Sequence, residues 1–484
     1  MVFSSLFFLF LFLPVFCGIY YAVPARFKNA VALAFSLLFY SWGAANFLGI
    51  VLAGLALDYW IAGKIAGLSR ENAREQRYRN VLLVVSIASN LGALAYYKYA
   101  NFFVAQWNVL LVACKAHPFS VAPIVLPIGI SFFTFHKVSY VVDVYRGVSQ
   151  RAQSFVIFAL YVLFFPQLIA GPIIRYHDVA DQLVARSHPL SGVAYGAFRF
   201  CIGLGKKVLI ANQLAVTADL VFGTSPGRLS VPLAWLGVVC YSFQIYFDFS
   251  GYSDMALGLG QLFGLRFREN FDCPYRSLSV TEFWRRWHIS LSSWMKEYLY
   301  VPLGGNRKGA ARTHLNLWIV FLLSGLWHGA NWTFLVWGAY HGTFLVAERL
   351  FLTKNAERLP RVLRAGVTFL IVAVGWVFFR APDLHAAGSL IGRLFAFSRY
   401  RPDSHSPLFV ELLGNRAAVA LVAAAILSFA PIFERGARVA RRFENESVDR
   451  TQSGLRFVLA FGCLALACAS LANSSYNPFI YFRF

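Results

Sequence analysis

Long apolar runs separated by short basic connections recur along the whole 484-residue chain, and this pattern limits the possible folds most strongly. A membrane-spanning helix needs about 20 consecutive apolar residues. Runs that reach or approach this length lie at 3–22, 30–42, 47–65, 81–97, 121–140, 155–174, 193–221, 231–249, 315–345, 362–379, 417–433 and 455–471. They predict an all-α polytopic integral membrane protein with about ten to twelve spans, several of them short, broken or tilted.

The composition supports this class. Hydrophobic residues make up 58% of the chain and charged residues only 14%, whereas soluble domains carry about 25% charged residues. We predict a single membrane domain over residues 1–484, with no soluble domain attached. The seven cysteines are scattered and form no CxxC pair, so the sequence predicts neither a disulfide framework nor a metal site.

The net charge of +22 does not indicate nucleic-acid binding. The cations lie in short connections between apolar runs, as the positive-inside rule requires, and no nucleic-acid-binding module is visible. Two clusters are predicted to face the cytoplasm, and the tail 474–484 is then predicted to lie outside. These clusters are Arg70, Arg74, Arg77 and Arg79, and Arg435, Arg438, Arg441, Arg442 and Arg450.

Residues 266–312 differ from the rest because basic and aromatic side chains alternate there. Ser279 and Glu282 have the spacing of a capping box, which predicts a helix from Ser279 through about Tyr300. One face of this helix would carry Phe283, Trp287, Ser290, Trp294 and Tyr298. A basic, aromatic, amphipathic helix is typical of the membrane interface, so we predict a cytoplasmic-side amphipathic or re-entrant segment.

His328 is the first candidate for chemistry because it lies inside the apolar run 315–345, in the motif WHGAN. An ionisable side chain within the membrane is costly, and a general base that deprotonates an attacking hydroxyl is one reason to retain it. The alternative is a structural histidine bonded to a neighbouring helix. His341, in the same run, is favoured as an interfacial residue near the helix end.

Other polar residues are candidates for lining a tunnel or for structural roles. His288 is either a second polar group of the same site or an interfacial histidine packed between tryptophans. Asp248 and Asp254 lie in an apolar run and need partners, for which Arg285 and Arg286 are candidates. Six residues separate the two acids, so they share no helical face unless the helix breaks at Gly251. Walker A, HExxH and GxSxG motifs do not occur in the sequence.

Several long segments resemble the membrane-bound O-acyltransferase family in its alginate O-acetyltransferase branch, and they occur in the family's order. They are LPIGISFFTFHKVSYVVDVYRG (126–147), FFPQLIAGPIIR (164–175), QIYFDFSGYSDMALGLG (244–260), REN (268–270), SVTEFWRRWHISLSSW (279–294), YLYVPLGGNRKG (298–309) and LSGLWHGANWTFLVWGAYHG (323–342). The resemblance covers almost the full chain. It implies a ring of membrane helices with shorter re-entrant helices around a central tunnel.

The resemblance also implies roles for individual residues. The family's invariant histidine corresponds to His328, and a second polar position corresponds to His288. Asn331, in the same motif as His328, becomes a candidate for tunnel lining or structure. The C-terminal segment resembles an FIYF-type motif in related systems, which makes Tyr481 a candidate acyl relay. Alternatively, the tail is an aromatic membrane anchor.

The resemblance implies transfer of acetyl groups across the bacterial inner membrane for O-acetylation of an exported polysaccharide, with alginate favoured and cellulose or peptidoglycan as alternatives. Acetyl-CoA is the expected donor substrate, with no bound cofactor or metal. A periplasmic SGNH-type acetyltransferase is the expected partner, and the polysaccharide is met indirectly. Contact with lipid is expected, and with nucleic acid it is not. A lipid acyltransferase and a flippase that moves an acylated carrier without chemistry remain rival functions.

Overall fold

The computed structural model describes residues 1–168, 171–352, 358–396, 413–433, 437, 450–473, 476–478 and 480. Regular structure in these ranges is helical, which confirms the all-α prediction. In chain order the helices are α1 Leu13–Ala22, α2 Lys28–Ala44, α3 Leu48–Ala66, α4 Ala73–Ala113, α5 Ile130–Arg146, α6 Phe155–Leu163, α7 Phe165–Leu168, α8 Tyr176–Val184, α9 Leu190–Gly205, α10 Asn212–Gly223, α11 Val231–Leu262, α12 Val280–Arg286, α13 Ile289–Met295, α14 Gly309–His328, α15 Trp332–Ala347, α16 Arg361–Arg380, α17 Leu384–Phe395, α18 Asn415–Phe429 and α19 Arg450–Asn473. Short π-helical turns at Phe8–Phe12, Lys206–Ala211, Lys296–Tyr300 and Glu348–Leu352 adjoin several of them.

Five of the described helical segments are long and apolar enough to cross a membrane, so this is a membrane protein. They are Ala25–Ala66, Ala73–Ala113, Arg361–Arg380, Asn415–Ile432 and Ser453–Asn473. Helix α4 has 41 residues and would be about 60 Å long at 1.5 Å per residue, more than a bilayer core requires. The total of ten to twelve spans stays a prediction.

The chain forms two compact units. The first comprises residues 1–193 and 259–268, and the second comprises 194–258 and 269–484. In the first unit, the buried carboxylate of Asp58 on α3 accepts hydrogen bonds from Ser86 (2.6 Å) and Asn90 (2.9 Å) on α4. Lys137 on α5 lies 3.5 Å from the same carboxylate. Because a buried charge must be paired and hydrogen-bonded, this network ties three helices together.

The second unit contains most of the candidate site residues. Its long helix α11 passes through Gly251 without interruption, so the break considered at that residue does not occur. Gly251 instead allows close helix packing, because a Cβ there would lie 2.7 Å from the carbonyl oxygen of Gly203 on α9. Asp248 and Asp254 therefore point in different directions from one continuous helix.

The amphipathic segment is also shorter than the sequence predicted. Ser279 does cap α12, because its hydroxyl accepts a hydrogen bond from the Glu282 backbone N–H (3.0 Å). However, the helix ends at Arg286, and Trp287 adopts an extended conformation. His288 follows with φ of +46°, so the prediction of one helix through Tyr300 was wrong.

Candidate active site

His328 is the last residue of α14, and the motif around it is a tight link between two antiparallel helices. Gly329 is extended (φ −169°), and a Cβ there would overlap the ring of Phe334. Asn331 then caps α15 by accepting a hydrogen bond from the Thr333 backbone N–H (3.1 Å), and its amide donates to the Pro382 carbonyl (2.8 Å). Asn331 therefore has a structural role. The apolar run 315–345 therefore belongs to two helices. His328 lies at the end of the first of them.

The imidazole of His328 is held in an aromatic shell. It is 5% exposed, and the rings of Trp327, Trp337 and Phe379 lie with centroids 4.8–5.1 Å from its own. Their interplanar angles are 65–86°, which is the edge-to-face arrangement that aromatic pairs favour. Three large side chains therefore restrict the orientation of this imidazole.

His288 is oriented by Asn270. Its Nδ1 lies 3.1 Å from Asn270 Oδ1, and the Ser290 backbone N–H donates to the same atom (3.2 Å). Because a backbone N–H can only donate, the shared atom must be the amide oxygen, and His288 Nδ1 must carry a proton. Nε2 then bears the lone pair, and it has no hydrogen-bond partner among the described residues. A neutral imidazole with an unused lone pair can accept a proton from a hydroxyl.

Both imidazoles line one cavity of about 560 Å³, which we call the histidine cavity. One face of α14 forms a wall through Leu317, Val320, Phe321, Ser324 and His328. Between the first and last of these residues the helix rises about 16 Å, so the cavity is long relative to an acetyl group. Trp284, Trp287 and Leu291 add further apolar surface. The structure thus brings together the two histidines that the sequence proposed for chemistry.

Three exposed cations, Arg285, Lys296 and Arg349, also line this cavity. None of them forms an ion pair within the part of the chain that the structure describes. Arg286 differs, because it pairs with Asp272 and, at 2.8 Å, with Glu282. Unpaired cations around a cavity are available to bind an anionic ligand, whereas Arg286 stabilises the local fold.

The suggested pairing of Asp248 and Asp254 with Arg285 or Arg286 was wrong. Asp254 lies 2.6 Å from both Arg199 and Lys206. Asp248 pairs with Lys207 at 2.7 Å. Arg199 lies on α9, and Lys206 and Lys207 lie on the π-helical turn that follows it. These two consecutive lysines each reach one of the two acids on α11. Neither acid lines the histidine cavity.

His341 is buried within the protein, whereas the sequence favoured an interfacial position near the helix end. It is fully buried, and the rings of Trp284, Trp337 and Tyr340 surround it with centroids 5.0–5.3 Å away. Neither ring nitrogen meets a hydrogen-bond partner in the described ranges, and the residue does not line the histidine cavity. It belongs to the aromatic packing behind the cavity.

Sequence reasoning missed several residues of this site. Asn270 lies in the REN motif (268–270), but the sequence predicted no role for it. Lys296, Arg349 and Lys207 were not predicted to be site residues either. The local sequence did not indicate this role of Asn270, because its partner His288 lies 18 residues later in the chain, after helix α12 has ended. Tyr481 and the arginines at 435, 438, 441 and 442 lie outside the described residues. In the described part, no group of three His, Cys, Asp or Glu side chains could hold a metal ion.

The sequence of this chain is similar to one family model and to several known proteins. The model of the membrane-bound O-acyltransferase family matches residues 129–357. The chain is 44% identical over 495 residues to a Pseudomonas putida protein named "Probable alginate O-acetylase AlgI", with all of both chains covered. It is 43% identical over 507 residues to an Azotobacter vinelandii protein of the same name, again with full coverage. A Helicobacter pylori "Peptidoglycan O-acetyltransferase" is 37% identical over 425 residues, which cover 80% of this chain and 78% of that protein.

Proposed function

The chain belongs to the membrane-bound O-acyltransferase family and is an O-acetyltransferase, and from this premise we propose that it acetylates an exported polysaccharide, with alginate as the acceptor. The names of the Pseudomonas putida and Azotobacter vinelandii relatives support alginate. The name of the Helicobacter pylori relative supports peptidoglycan as the second candidate acceptor. Location in the bacterial inner membrane belongs to the same proposal.

The observation that carries the proposal is that His288 and His328 share one cavity with three unpaired cations. In the proposed reaction, His328 takes the proton of the attacking hydroxyl, because a neutral hydroxyl is a weak nucleophile. The hydroxyl oxygen bonds to the acetyl carbon, the C–S bond of the donor breaks, and the leaving thiolate receives the proton from His328. His288 is the supporting group, because it lines the same cavity and its Nε2 bears a lone pair. The aromatic shell excludes water, so the acyl donor is protected from hydrolysis.

The proposed donor substrate is acetyl-CoA. Arg285, Lys296 and Arg349 suit the phosphates of such a donor, since cations without partners attract anions most strongly. The apolar wall along α14 suits a narrow arm that carries the acetyl group about 16 Å towards His328. We place this entrance on the cytoplasmic side, because Arg307, Lys308 and Arg312 stand at the start of α14.

A periplasmic SGNH-type acetyltransferase is the proposed partner that transfers the group to the polymer. Tyr481 is the proposed relay that holds the acetyl ester before this transfer. A Tyr481→Phe variant removes the acceptor hydroxyl and keeps the aromatic ring. We expect it to lose polymer acetylation while its amount in the membrane stays unchanged. Full acetylation by this variant would leave the tail as an anchor.

The main test measures ester-linked acetate on polysaccharide secreted by cells that lack this protein and carry either wild type or His328→Ala. We expect the variant to lower acetate by at least about 100-fold at normal polymer yield, as removal of a general base does. His314→Ala is the matched control, because His314 lies on the same helix but does not line the cavity. It should acetylate normally.

The rival functions predict other results. A flippase without chemistry should tolerate His328→Ala, so full acetylation by that variant would remove the proposed base. A lipid acyltransferase should acylate lysophospholipid without any periplasmic partner. Acetate that disappears from peptidoglycan or cellulose but not from alginate would change the acceptor and keep the chemistry.

A further inference from the structure

The C-terminal segment of the described chain is fastened by side chains from several helices. The Tyr476 hydroxyl donates to Asp219 (2.6 Å), and Asn212 donates to the Asn477 side chain (3.1 Å). Lys207 donates to the Pro478 carbonyl oxygen, and the Ile480 backbone N–H donates to Asp248 (2.9 Å). Ile480 is only 7% exposed. A tail held only by apolar contact would not need this set of polar partners.

The pair of Lys207 and Asp248 is central to this attachment. Both side chains are 2% exposed, and their charged atoms lie 2.7 Å apart. A buried ion pair is tolerated only when its remaining donors and acceptors are also satisfied. The carbonyl of Pro478 and the N–H of Ile480 satisfy one atom on each partner. The pair and the tail therefore depend on each other.

The neighbouring pair shows that this dependence is specific. Lys206 precedes Lys207 and pairs with Asp254 at 2.6 Å. Asp254 has a second cation, Arg199, also at 2.6 Å, and Arg199 binds Glu269. No described tail residue contributes to this network. Lys206 thus supports contacts among α9, α11 and Glu269, whereas Lys207 holds the tail.

The same tail residues wall a second cavity of about 170 Å³, which we call the tail cavity. Pro478 and Ile480 face Gln244, Arg380, Phe334 and Phe379 across it. The ring of Phe379 also contacts His328, so one aromatic side chain touches both the tail cavity and the imidazole. The volume equals that of about six liquid water molecules, enough for an acetyl ester but not for a polymer segment.

The tail cavity offers one hydrogen-bond donor and one acceptor, which suit an acetyl ester and a hydroxyl, respectively. Gln244 is 4% exposed, and its Oε1 has no hydrogen-bond partner among the residues that the structure describes. Arg380 is held by Asp219 at 2.6 Å, and that carboxylate also accepts from Tyr476. A buried amide oxygen without a partner is costly unless a ligand donates a hydrogen bond to it. The remaining walls are apolar.

We propose that Lys207 and Asp248 are positioning residues that hold the tail as the wall of an acetyl-binding chamber beyond His328. In this chamber Arg380 donates to the carbonyl of the acetyl ester, and Gln244 Oε1 accepts from the hydroxyl that receives the acetyl group. Phe379 separates the ester from the imidazole. The inference rests on the proposed acetyl transfer. Release of the tail opens the chamber and lowers delivery of acetyl to the acceptor, while the histidine cavity keeps its donor.

The first experiment reports the tail position without any enzymatic activity. Ile480→Cys is introduced into the full chain after its seven native cysteines are replaced by serine or alanine, and maleimide labelling is followed in membranes. We expect labelling to be at least about 10-fold faster in Lys207→Met and in Asp248→Leu, because each loses one tail contact. Lys206→Met is the matched control and should label as slowly as the parent.

A double variant controls for misfolding of the single variants. Removing one partner of a buried pair leaves an uncompensated charge, so Lys207→Met/Asp248→Leu removes both charges together. It should be recovered in the membrane at parental levels and still label fast. Slow labelling in all three pair variants would show that the pair does not hold the tail, and the inference would be overturned.

The second experiment measures polymer acetate for the same pair variants without Ile480→Cys, in the native cysteine background. We expect kcat to fall about 10-fold with the KM for acetyl-CoA unchanged, since the histidine cavity is intact. Fast labelling with undiminished acetate would overturn the role of the chamber. If wild type itself gives no polymer acetate, the proposed function fails, and the labelling result still decides whether the pair holds the tail.

Discussion

The histidine cavity and the tail cavity differ in how their cations are used. Arg285, Lys296 and Arg349 line the larger cavity without ion pairs in the described ranges. Arg380, in the smaller cavity, pairs with Asp219, and nearby Lys207 pairs with Asp248. A cation that the protein has already neutralised stabilises structure, whereas an unpaired one is available to a ligand. The comparison therefore predicts that the histidine cavity binds an anion and that the tail cavity binds a neutral group.

The largest effect is expected when His288, which lines the histidine cavity, is compared with His341, which is packed behind it. His288→Ala should lower the transfer rate by about 100-fold, because this imidazole lines the cavity together with the proposed base His328 and supports it. His341→Leu should change the rate less than about threefold, since His341 does not line the cavity. Rates of acetyl transfer in membrane vesicles with matched protein amounts test this. Equal losses of the transfer rate in the two variants would show that the two histidines do not differ in function.

The orientation of His288 provides the next test. Asn270→Ala removes the acceptor of the Nδ1 hydrogen bond, so both the tautomer and the ring position are less restricted. We expect kcat to fall by about 20-fold with little change in the KM for the donor. Asn270→Asp keeps an acceptor oxygen and should restore part of the rate. A loss confined to KM would indicate that Asn270 serves donor binding.

The unpaired cations should affect binding more than chemistry. Arg285→Ala/Arg349→Ala should raise the KM for acetyl-CoA by about 10-fold and weaken its dependence on salt, as expected for lost contacts to phosphate. Arg286→Ala is the control, because Arg286 is paired with Asp272 and Glu282. It should leave the KM unchanged in vesicle assays at two ionic strengths. A higher KM in the control alone would reverse the assignment.

The smallest effect is expected in the tail cavity. Gln244→Leu removes an amide without filling the cavity, and one neutral hydrogen bond contributes about 1 kcal/mol. We therefore expect kcat to fall about fivefold, with no effect on maleimide labelling of Ile480→Cys. An unchanged kcat would mean that Gln244 does not bind the hydroxyl that receives the acetyl group.

The sequence alone predicted the class of fold and part of the site. Apolar runs predicted a membrane protein because hydropathy adds over contiguous residues, and five long helices agree with it. Ser279 predicted the start of α12 because a cap acts over three residues. His328 stood out because an imidazole in an apolar run is costly. These signals are local, so they can be read from neighbouring positions.

Only the tertiary structure decided which polar residues meet. The pairing of Lys207 with Asp248, and not of Arg285 or Arg286, depends on which faces of separate helices meet across 41 residues of sequence. The break at Trp287 and His288 follows from contacts with Asn270, since its backbone carbonyl and side chain both receive hydrogen bonds from residues 288–290. His341 and His288 have similar local settings, yet one is packed behind the cavity and the other lines it. Side-chain partners depend on packing between distant segments, and local hydropathy does not encode that packing.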